Sequence, residues 1–146
     1  MEESLNQILG STGVLPLLAL FLVSLLAATI LPLGSELWLL FLQNSQNYHP
    51  LLLLIFASTG NILGSVITYK MGEWGKKKLD SKDLERSSKI IKKYGALAGL
   101  LAWVPLIGDP LALALGYFRT HQAITFVCFS LGKVARYIVV MGVFSL

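Results

Sequence analysis

Two similar five-residue segments interrupt long apolar stretches of this chain. The first is Pro32-Leu33-Gly34-Ser35-Glu36 and the second is Pro105-Leu106-Ile107-Gly108-Asp109. Each segment combines a proline, a glycine and a carboxylate, and both the prolines and the carboxylates are 73 positions apart (105 − 32 and 109 − 36). A carboxylate at the centre of a membrane helix costs about 2.5–3.5 kcal/mol on insertion scales. Because the prolines and the carboxylates repeat at the same separation, we predict a duplicated membrane unit. The cost of the carboxylates predicts that they have a function in the middle of the membrane.

The charged residues are concentrated in one central segment. Only 14% of the 146 residues are charged, whereas a soluble domain has about 25%. Nine of the twelve basic residues lie within 70–93. This distribution indicates an integral membrane protein whose net charge of +4 belongs to a loop near anionic lipid. It argues against a nucleic-acid-binding protein, and the positive-inside rule places the loop in the cytoplasm.

Hydropathy divides the rest of the chain into two similar halves. In each half, apolar pieces broken by proline and glycine precede one clean transmembrane helix, at 51–69 in the first half and from 123 to the end in the second. A span needs about 20 apolar residues, so 14–33 is just long enough to cross, whereas 37–42 and 94–104 are too short to cross alone. We predict a re-entrant hairpin plus a transmembrane helix in repeat 1 (about 14–69) and in repeat 2 (about 94–146).

The predicted hairpins fix the topology. A hairpin returns to the side it came from and a helix crosses once, so two similar halves lie in opposite orientations. This is the inverted repeat of secondary transporters, in which broken helices meet near the midplane. The fold class is therefore an all-α integral membrane protein with a single membrane domain. With the loop inside, both termini lie outside. If 14–33 crosses the membrane fully instead, the two halves no longer have opposite orientations.

Small and polar residues give further expectations. The motif from Gly60 to Gly64 is a GxxxG face that allows close helix packing, and it is a candidate contact for a homodimer. Asn61 lies within this motif and is either a helix–helix hydrogen-bonding group or a ligand. The single cysteine, Cys128, and the two isolated histidines form no metal-binding pattern. No nucleophile–base pattern is present, so we expect no metal, no cofactor and no enzymatic activity.

Several motifs taken together resemble one family. The segment 32–36 resembles the Pro-x-x-Ser-Glu signature of the DedA superfamily, also called SNARE-associated or VTT-domain proteins. The motif Trp103-x-Pro105-x-x-Gly108-Asp109-Pro110 and the motif Gly132-Lys133-x-x-Arg136-Tyr137 resemble its short YqaA-type branch. The resemblance runs from about residue 14 to the end. It implies a small bacterial inner-membrane protein with two opposed re-entrant hairpins. Members of the superfamily are implicated in moving lipids across the bilayer. In several bacterial members this function is thought to depend on the proton gradient.

Glu36 and Asp109 are the first candidate site residues. As membrane carboxylates they can exchange protons or contact a polar headgroup, because a low dielectric disfavours their charged form. The alternative is structural, since each acid precedes a short helix whose free N–H groups and positive dipole end a carboxylate stabilises. For Asp109, followed by Pro110, we expect a helix N-cap.

Lys133 and Arg136 lie three residues apart on one face of the last helix. They form either a phosphate site, in which guanidinium binds phosphate through a bidentate fork, or ion pairs with Glu36 or Asp109. With Asn61, these four charged residues make up the predicted substrate- and proton-binding set. The predicted hairpin tips consist of Pro32, Gly34, Ser35, Pro105, Gly108 and Pro110.

The sequence favours a flippase- or scramblase-like transporter of a phosphate-bearing membrane lipid, with coupling to protons left open. Two alternatives remain at this point. One is a proton-coupled transporter of small ions. The other is a non-transporting membrane protein that binds a partner through its basic loop.

Overall fold

The chain folds into helices joined by short connections. The computed structural model describes residues 13–29, 34–75, 81–104 and 107–143, and no strand occurs among them. This confirms the predicted all-α class. In chain order the elements are α1 (Leu15–Ala27), α2 (Gly34–Asn44), α3 (Pro50–Glu73), α4 (Ser81–Tyr94), a 3₁₀ helix (Gly95–Trp103), α5 (Gly108–Tyr117) and α6 (Gln122–Val143).

Two of these helices are long and apolar enough to cross a membrane, α3 with 24 residues and α6 with 22. At 1.5 Å per residue each measures about 33–36 Å, against a hydrocarbon layer of about 30 Å. Less than half of the apolar window of either helix is buried in the protein. Large apolar side chains such as Leu63 and Leu131 are exposed instead, as expected of surfaces that face lipid.

The remaining apolar helices are too short to cross. α1 has 13 residues and therefore a length of about 20 Å, and α2, α5 and the 3₁₀ helix are shorter still. Helix α1 ends at Ala27, so no single helix covers 14–33 in the described residues. The broken apolar segments that were predicted in each half are thus present as pairs of short helices, α1 with α2 and the 3₁₀ helix with α5.

The two halves pack internally in the same way. A Cβ on Gly60 or Gly64 of α3 would lie 2.3 Å from the Phe21 carbonyl oxygen or 2.5 Å from that of Leu25 on α1. A Cβ on Gly132 of α6 would likewise lie 2.8 Å from the Leu100 oxygen of the 3₁₀ helix. The GxxxG face thus packs closely, as predicted, but its partner is α1 of the same chain and not a second copy. A homodimer would need another surface.

Contacts at the two ends of the molecule fix the directions of the helices. At one end, which we call the loop end, the Tyr69 hydroxyl near the C-terminus of α3 donates to the Thr120 carbonyl before α6, at 2.6 Å. At the far end, Gln43 of α2 donates to the Met141 carbonyl of α6, at 3.2 Å. Helices α3 and α6 therefore run antiparallel.

Each pair of short helices also starts and ends at one end of the molecule. Tyr48, which follows α2, donates to the Gly13 carbonyl before α1, at 3.1 Å. Near the end of α5, a Cβ on Gly116 would lie 1.9 Å from the Tyr69 oxygen, at the loop end from which the 3₁₀ helix also starts. These contacts fit two opposed fold-backs. The first fold-back consists of α1 and α2, and the second consists of the 3₁₀ helix and α5. Their re-entrance into a bilayer stays a prediction.

The central basic segment begins later than the predicted loop at 70, and part of it is buried. Helix α3 continues past Tyr69 to Glu73, and Lys70 and Glu73 form an ion pair of 2.8 Å in its last turn. Helix α4 is not solvated on all sides, since Ser87 and Ile91 are buried where it packs on α5 and the 3₁₀ helix. Residues 1–12, the three lysines at 76–78, Pro32 and Pro105 lie outside the described residues.

Candidate functional site

The predicted site residues of the two long helices lie at half their length. Asn61 is the twelfth of 24 residues in α3, and Lys133 is the twelfth of 22 residues in α6. Each is therefore about 16 Å from either end of its helix. In a hydrocarbon layer of about 30 Å, both side chains lie near the midplane.

One ion pair joins α6 to the first fold-back. The Arg136 Nε donates to Glu36 Oε1 at 2.5 Å, and Glu36 is the third residue of α2. The Arg136 residue is only 8% exposed. The guanidinium is thus neutralised by the carboxylate of Glu36, which lies in the first turn of α2.

A second ion pair joins α6 to the other fold-back. The Lys133 Nζ lies 3.3 Å from Asp109 Oδ1, in the first turn of α5. The same ammonium donates to Asn61 Oδ1 on α3. The Lys133 residue is 1% exposed, so these two acceptors replace the water it has lost. A buried ammonium without them would cost several kcal/mol.

Neutral groups connect the two ion pairs. The Asn61 side-chain amide donates to the Tyr137 hydroxyl at 2.9 Å, and this hydroxyl donates to Ser35 Oγ at 3.1 Å. Ser35 directly precedes Glu36, so the hydrogen bonds lead from one pair to the other. We call this set the central polar network; its members are Ser35, Glu36, Asn61, Asp109, Lys133, Arg136 and Tyr137.

The first turns of α2 and α5 bring the helix dipoles to the network. The N-terminus of a helix carries a partial positive charge, so both carboxylates lie where it stabilises them. The prediction that Asp109 is the N-cap of α5 is wrong. The cap is Ile107, whose carbonyl accepts from the Leu111 N–H at 3.0 Å, and the Asp109 carboxylate accepts from Lys133 instead. Helix α5 starts two residues earlier than predicted, and the Gly108 N–H already bonds the Val104 carbonyl, at 3.0 Å.

The described tip residues all lie in these first turns: Gly34 and Ser35 in α2, and Gly108 and Pro110 in α5. Gly108 is needed for packing, since a Cβ there would lie 2.6 Å from the Ala102 carbonyl oxygen of the 3₁₀ helix. Pro32 and Pro105, which were assigned to the same tips, lie outside the described residues.

The network is accessible on its acidic side. The side chains of Glu36 and Asp109 are 22% and 24% exposed, whereas those of Lys133 and Arg136 are almost fully buried. The ion pairs foreseen as the alternative to a phosphate site are therefore present, and each cation has its own acid. A second anion that reaches the cations must displace a carboxylate.

Sequence reasoning missed Tyr137 as a member of the network. Its position four residues after Lys133 places it on the same face of α6, and this spacing could have identified it. It also missed His49, whose Nδ1 accepts from the Leu51 N–H at 3.3 Å and so caps α3. His121 and Arg119 lie at the loop end, away from the network.

Among the described residues, no three His, Cys, Asp or Glu side chains lie together in a group that could hold a metal ion. The described part of the site therefore offers two cations, two carboxylates, an amide and two hydroxyls. Such groups can bind an oxyanion or transfer a proton between carboxylates and water.

Comparison with known proteins finds similar chains. The chain is 38% identical to the inner membrane protein YqaA of Escherichia coli over 128 residues, which cover 86% of this chain and 89% of that protein. The same figures hold for the inner membrane protein YqaA of Shigella flexneri. An uncharacterized protein of Haemophilus influenzae is 34% identical over 131 residues, 84% of this chain and 83% of its own. No family model matches the chain, and no solved structure matches it.

Proposed function

This chain belongs to the YqaA-type branch of the DedA superfamily, and we propose that it is an inner-membrane lipid transporter, flippase- or scramblase-like, for a phosphate-bearing lipid. The observation that carries the proposal is the central polar network. Two cations lie near the midplane, and the carboxylates that neutralise them are more exposed than the cations themselves. A lipid phosphate is an anion that can take the place of such a carboxylate.

Arg136 is the group best suited to hold the phosphate. Its Nε is bonded to Glu36, and a planar guanidinium can offer two parallel N–H groups to a phosphate. The exchange of one anion for another keeps the cation neutralised throughout. The displaced Glu36 either turns toward water or takes up a proton, because a low dielectric disfavours an unpaired carboxylate. In the second case the exchange couples lipid movement to protons.

The ion pairs also provide a means of alternating access. Helix α6 is tied to the first fold-back by Arg136 and to the second by Lys133. A shift of one fold-back against α6 breaks one pair and leaves the other intact. Because the fold-backs start from opposite ends of the molecule, each pair would control access from a different side of the membrane.

The test is headgroup translocation by the purified full chain in liposomes. A fluorescent phosphatidylethanolamine in the inner leaflet becomes accessible to an external quencher only after translocation. We expect Arg136→Ala to lower the rate by about tenfold or more, since a charge-assisted bond is worth about 1.5–3 kcal/mol. Arg119→Ala is the matched control, because Arg119 is an exposed arginine at the loop end.

An unchanged rate for Arg136→Ala in protein of normal helicity would refute the site. Glu36→Gln provides a second test, since an amide keeps the shape of the carboxylate but cannot take part in the anion exchange. If the rate depends on a proton gradient in the wild type, that dependence is expected to be lost in Glu36→Gln.

A second candidate is proton-coupled transport of small ions, favoured by the greater exposure of the two carboxylates. It predicts ion flux that depends on pH, measured with a pH-sensitive dye inside the liposomes, without movement of the fluorescent lipid. Glu36→Gln is expected to abolish the flux. Lipid movement by the wild type in the same liposomes would decide for the first candidate.

We further propose that the loop end faces the cytoplasm, because α4 places its basic residues there. The test replaces Lys82 by cysteine in a Cys128→Ser background and labels intact cells with a membrane-impermeant maleimide. Lys82 is exposed, so labelling should require permeabilised cells. Labelling of intact cells would contradict this orientation.

A further inference from the structure

Helix α4 carries a row of basic residues on one exposed face. The row consists of Lys82, Arg86, Lys89 and Lys93, and all four are exposed. Their spacings of four, three and four residues place them within about 60° of one another at 3.6 residues per turn. We call this row the basic strip.

The opposite face of α4 fixes the direction of the strip. Ser87 and Ile91 are buried on that face, where α4 packs on α5 and the 3₁₀ helix. The strip therefore points away from the protein. Lys89 pairs with Glu85 at 2.8 Å, but both side chains are well exposed. Such a surface pair contributes little and leaves the ammonium available to another anion.

The strip leads directly into an apolar ridge on the 3₁₀ helix. Tyr94, Leu97, Leu100 and Trp103 are all exposed, and their spacing of three residues places them on one side of this helix. The Lys93 ammonium lies 5.1 Å from the centre of the Tyr94 ring, at the point where the two surfaces meet. The order is therefore basic, then aromatic, then apolar, which is the order of a bilayer from headgroups to hydrocarbon.

We propose that the basic strip binds anionic phospholipid headgroups in the leaflet at the loop end. The acyl chains of such a lipid would lie along the apolar ridge while its phosphate contacts the strip. A lipid fits better than an acidic protein, because the strip ends at a lipid-facing surface. This surface is separate from the central polar network and does not require that the protein transports lipid.

The experiment measures how spin-labelled phosphatidylglycerol and spin-labelled phosphatidylcholine distribute into the lipid shell of the reconstituted full chain. The test variant is Arg86→Gln/Lys89→Gln/Lys93→Gln. The matched control is Lys76→Gln/Lys77→Gln/Lys78→Gln, which removes the same three charges from the same loop. We expect the wild type and the control to prefer phosphatidylglycerol by about fivefold or more, and the test variant to lose most of that preference.

Equal losses in the two triple variants would overturn the proposal, because they would show that only the net charge of the loop matters. A wild type without any preference would also overturn it, and would leave an acidic protein as the partner of the strip. A preference that persists at 1 M salt would also overturn the proposal, because at that salt concentration charges are screened beyond about 3 Å. Normal helicity of the test variant is checked by circular dichroism, and Lys89→Arg/Lys93→Arg should keep the preference.

Arg136→Ala separates this inference from the proposed transport function. If the preference for phosphatidylglycerol is lost in Arg136→Ala alone, the lipid binds in the central polar network and the strip is not its site. If the strip variant loses the preference while translocation by the wild type is absent, the transport proposal fails and the lipid-binding strip stands.

Discussion

Helices α2 and α5 both begin at the central polar network, but they are packed very differently. Helix α5 is buried from Leu111 to Gly116 and lies directly against α3 of the other repeat. Helix α2 exposes Leu37 (72%) and Phe41 (63%) and rests mainly on α1 of its own repeat. The second fold-back is thus a fixed part of the scaffold. The first is held to α6 by the network, by the Gln43–Met141 hydrogen bond and by the apolar contacts of Leu39 and Leu42. Because its outer face is exposed, we take it as the element that is freer to move.

Two glycines account for the tight packing of α5. A Cβ on Gly72 of α3 would lie 2.1 Å from the Leu113 carbonyl oxygen, and one on Gly116 would lie 1.9 Å from the Tyr69 oxygen. Each of these helices therefore lies against the backbone of the other. At Gly34, the first residue of α2, a Cβ would meet only the Val23 side chain, at 3.8 Å, whereas at Gly108, the first residue of α5, it would lie 2.6 Å from the Ala102 oxygen.

The largest effect is expected from Gly116→Ala. The added methyl group must push two backbones apart, so we expect a loss of about 3 kcal/mol or more in unfolding free energy. The measurement is a denaturant titration in micelles followed by circular dichroism. Gly34→Ala is the matched control and should change stability by less than about 1 kcal/mol. Equal losses for the two variants would show that α2 is packed as tightly as α5.

A somewhat smaller loss is expected from Lys133→Met. This change leaves Asp109 without its cation on a helix that cannot move away, at a cost of about 3 kcal/mol. Arg136→Met is expected to cost less, because Glu36 lies on the more loosely packed α2. The double variant Lys133→Met/Asp109→Asn should recover most of the loss in the same titration. A larger loss for Arg136→Met than for Lys133→Met would reverse our assignment of the fixed and movable fold-backs.

Tyr137→Phe tests the neutral link between the halves. The change leaves the Asn61 amide and the Ser35 hydroxyl without this partner, so we expect a loss of about 1–2 kcal/mol. Tyr48→Phe removes a tyrosine hydrogen bond at the far end and is expected to cost about half as much or less. If Tyr137→Phe is neutral, the network consists in energetic terms of two independent ion pairs.

The sequence was sufficient to predict which segments span and which are broken. That prediction needs only hydropathy, the length of a span and the positions of Pro32 and Pro105. The sequence also predicted that Lys133 and Arg136 would meet a carboxylate or a phosphate, because a buried cation requires a partner.

The pairing within the network could not be predicted, because it depends on the register between helices distant in sequence. Glu36 and Arg136 are 100 residues apart, and nothing local distinguishes Glu36 from Asp109 as the partner of the arginine. Small residues likewise show that two helices approach closely but not which two. For this reason the sequence predicts close packing at Gly60 and Gly64 but does not show whether the partner is a second copy of the chain or, as the structure has it, α1.

The smallest effect is expected from Leu37→Ala on the exposed face of α2. A leucine that faces lipid loses few protein contacts when truncated, so the change should be below about 0.5 kcal/mol. Leu115→Ala on α5 is the comparison, because Leu115 is fully buried and its truncation should cost about 2–5 kcal/mol. If Leu37→Ala instead costs as much as Leu115→Ala, the exposed face of α2 is covered by protein in the membrane. A second copy of the chain would then be its partner, and cross-linking through cysteines placed at Leu37 and Phe41 would capture the dimer on this face.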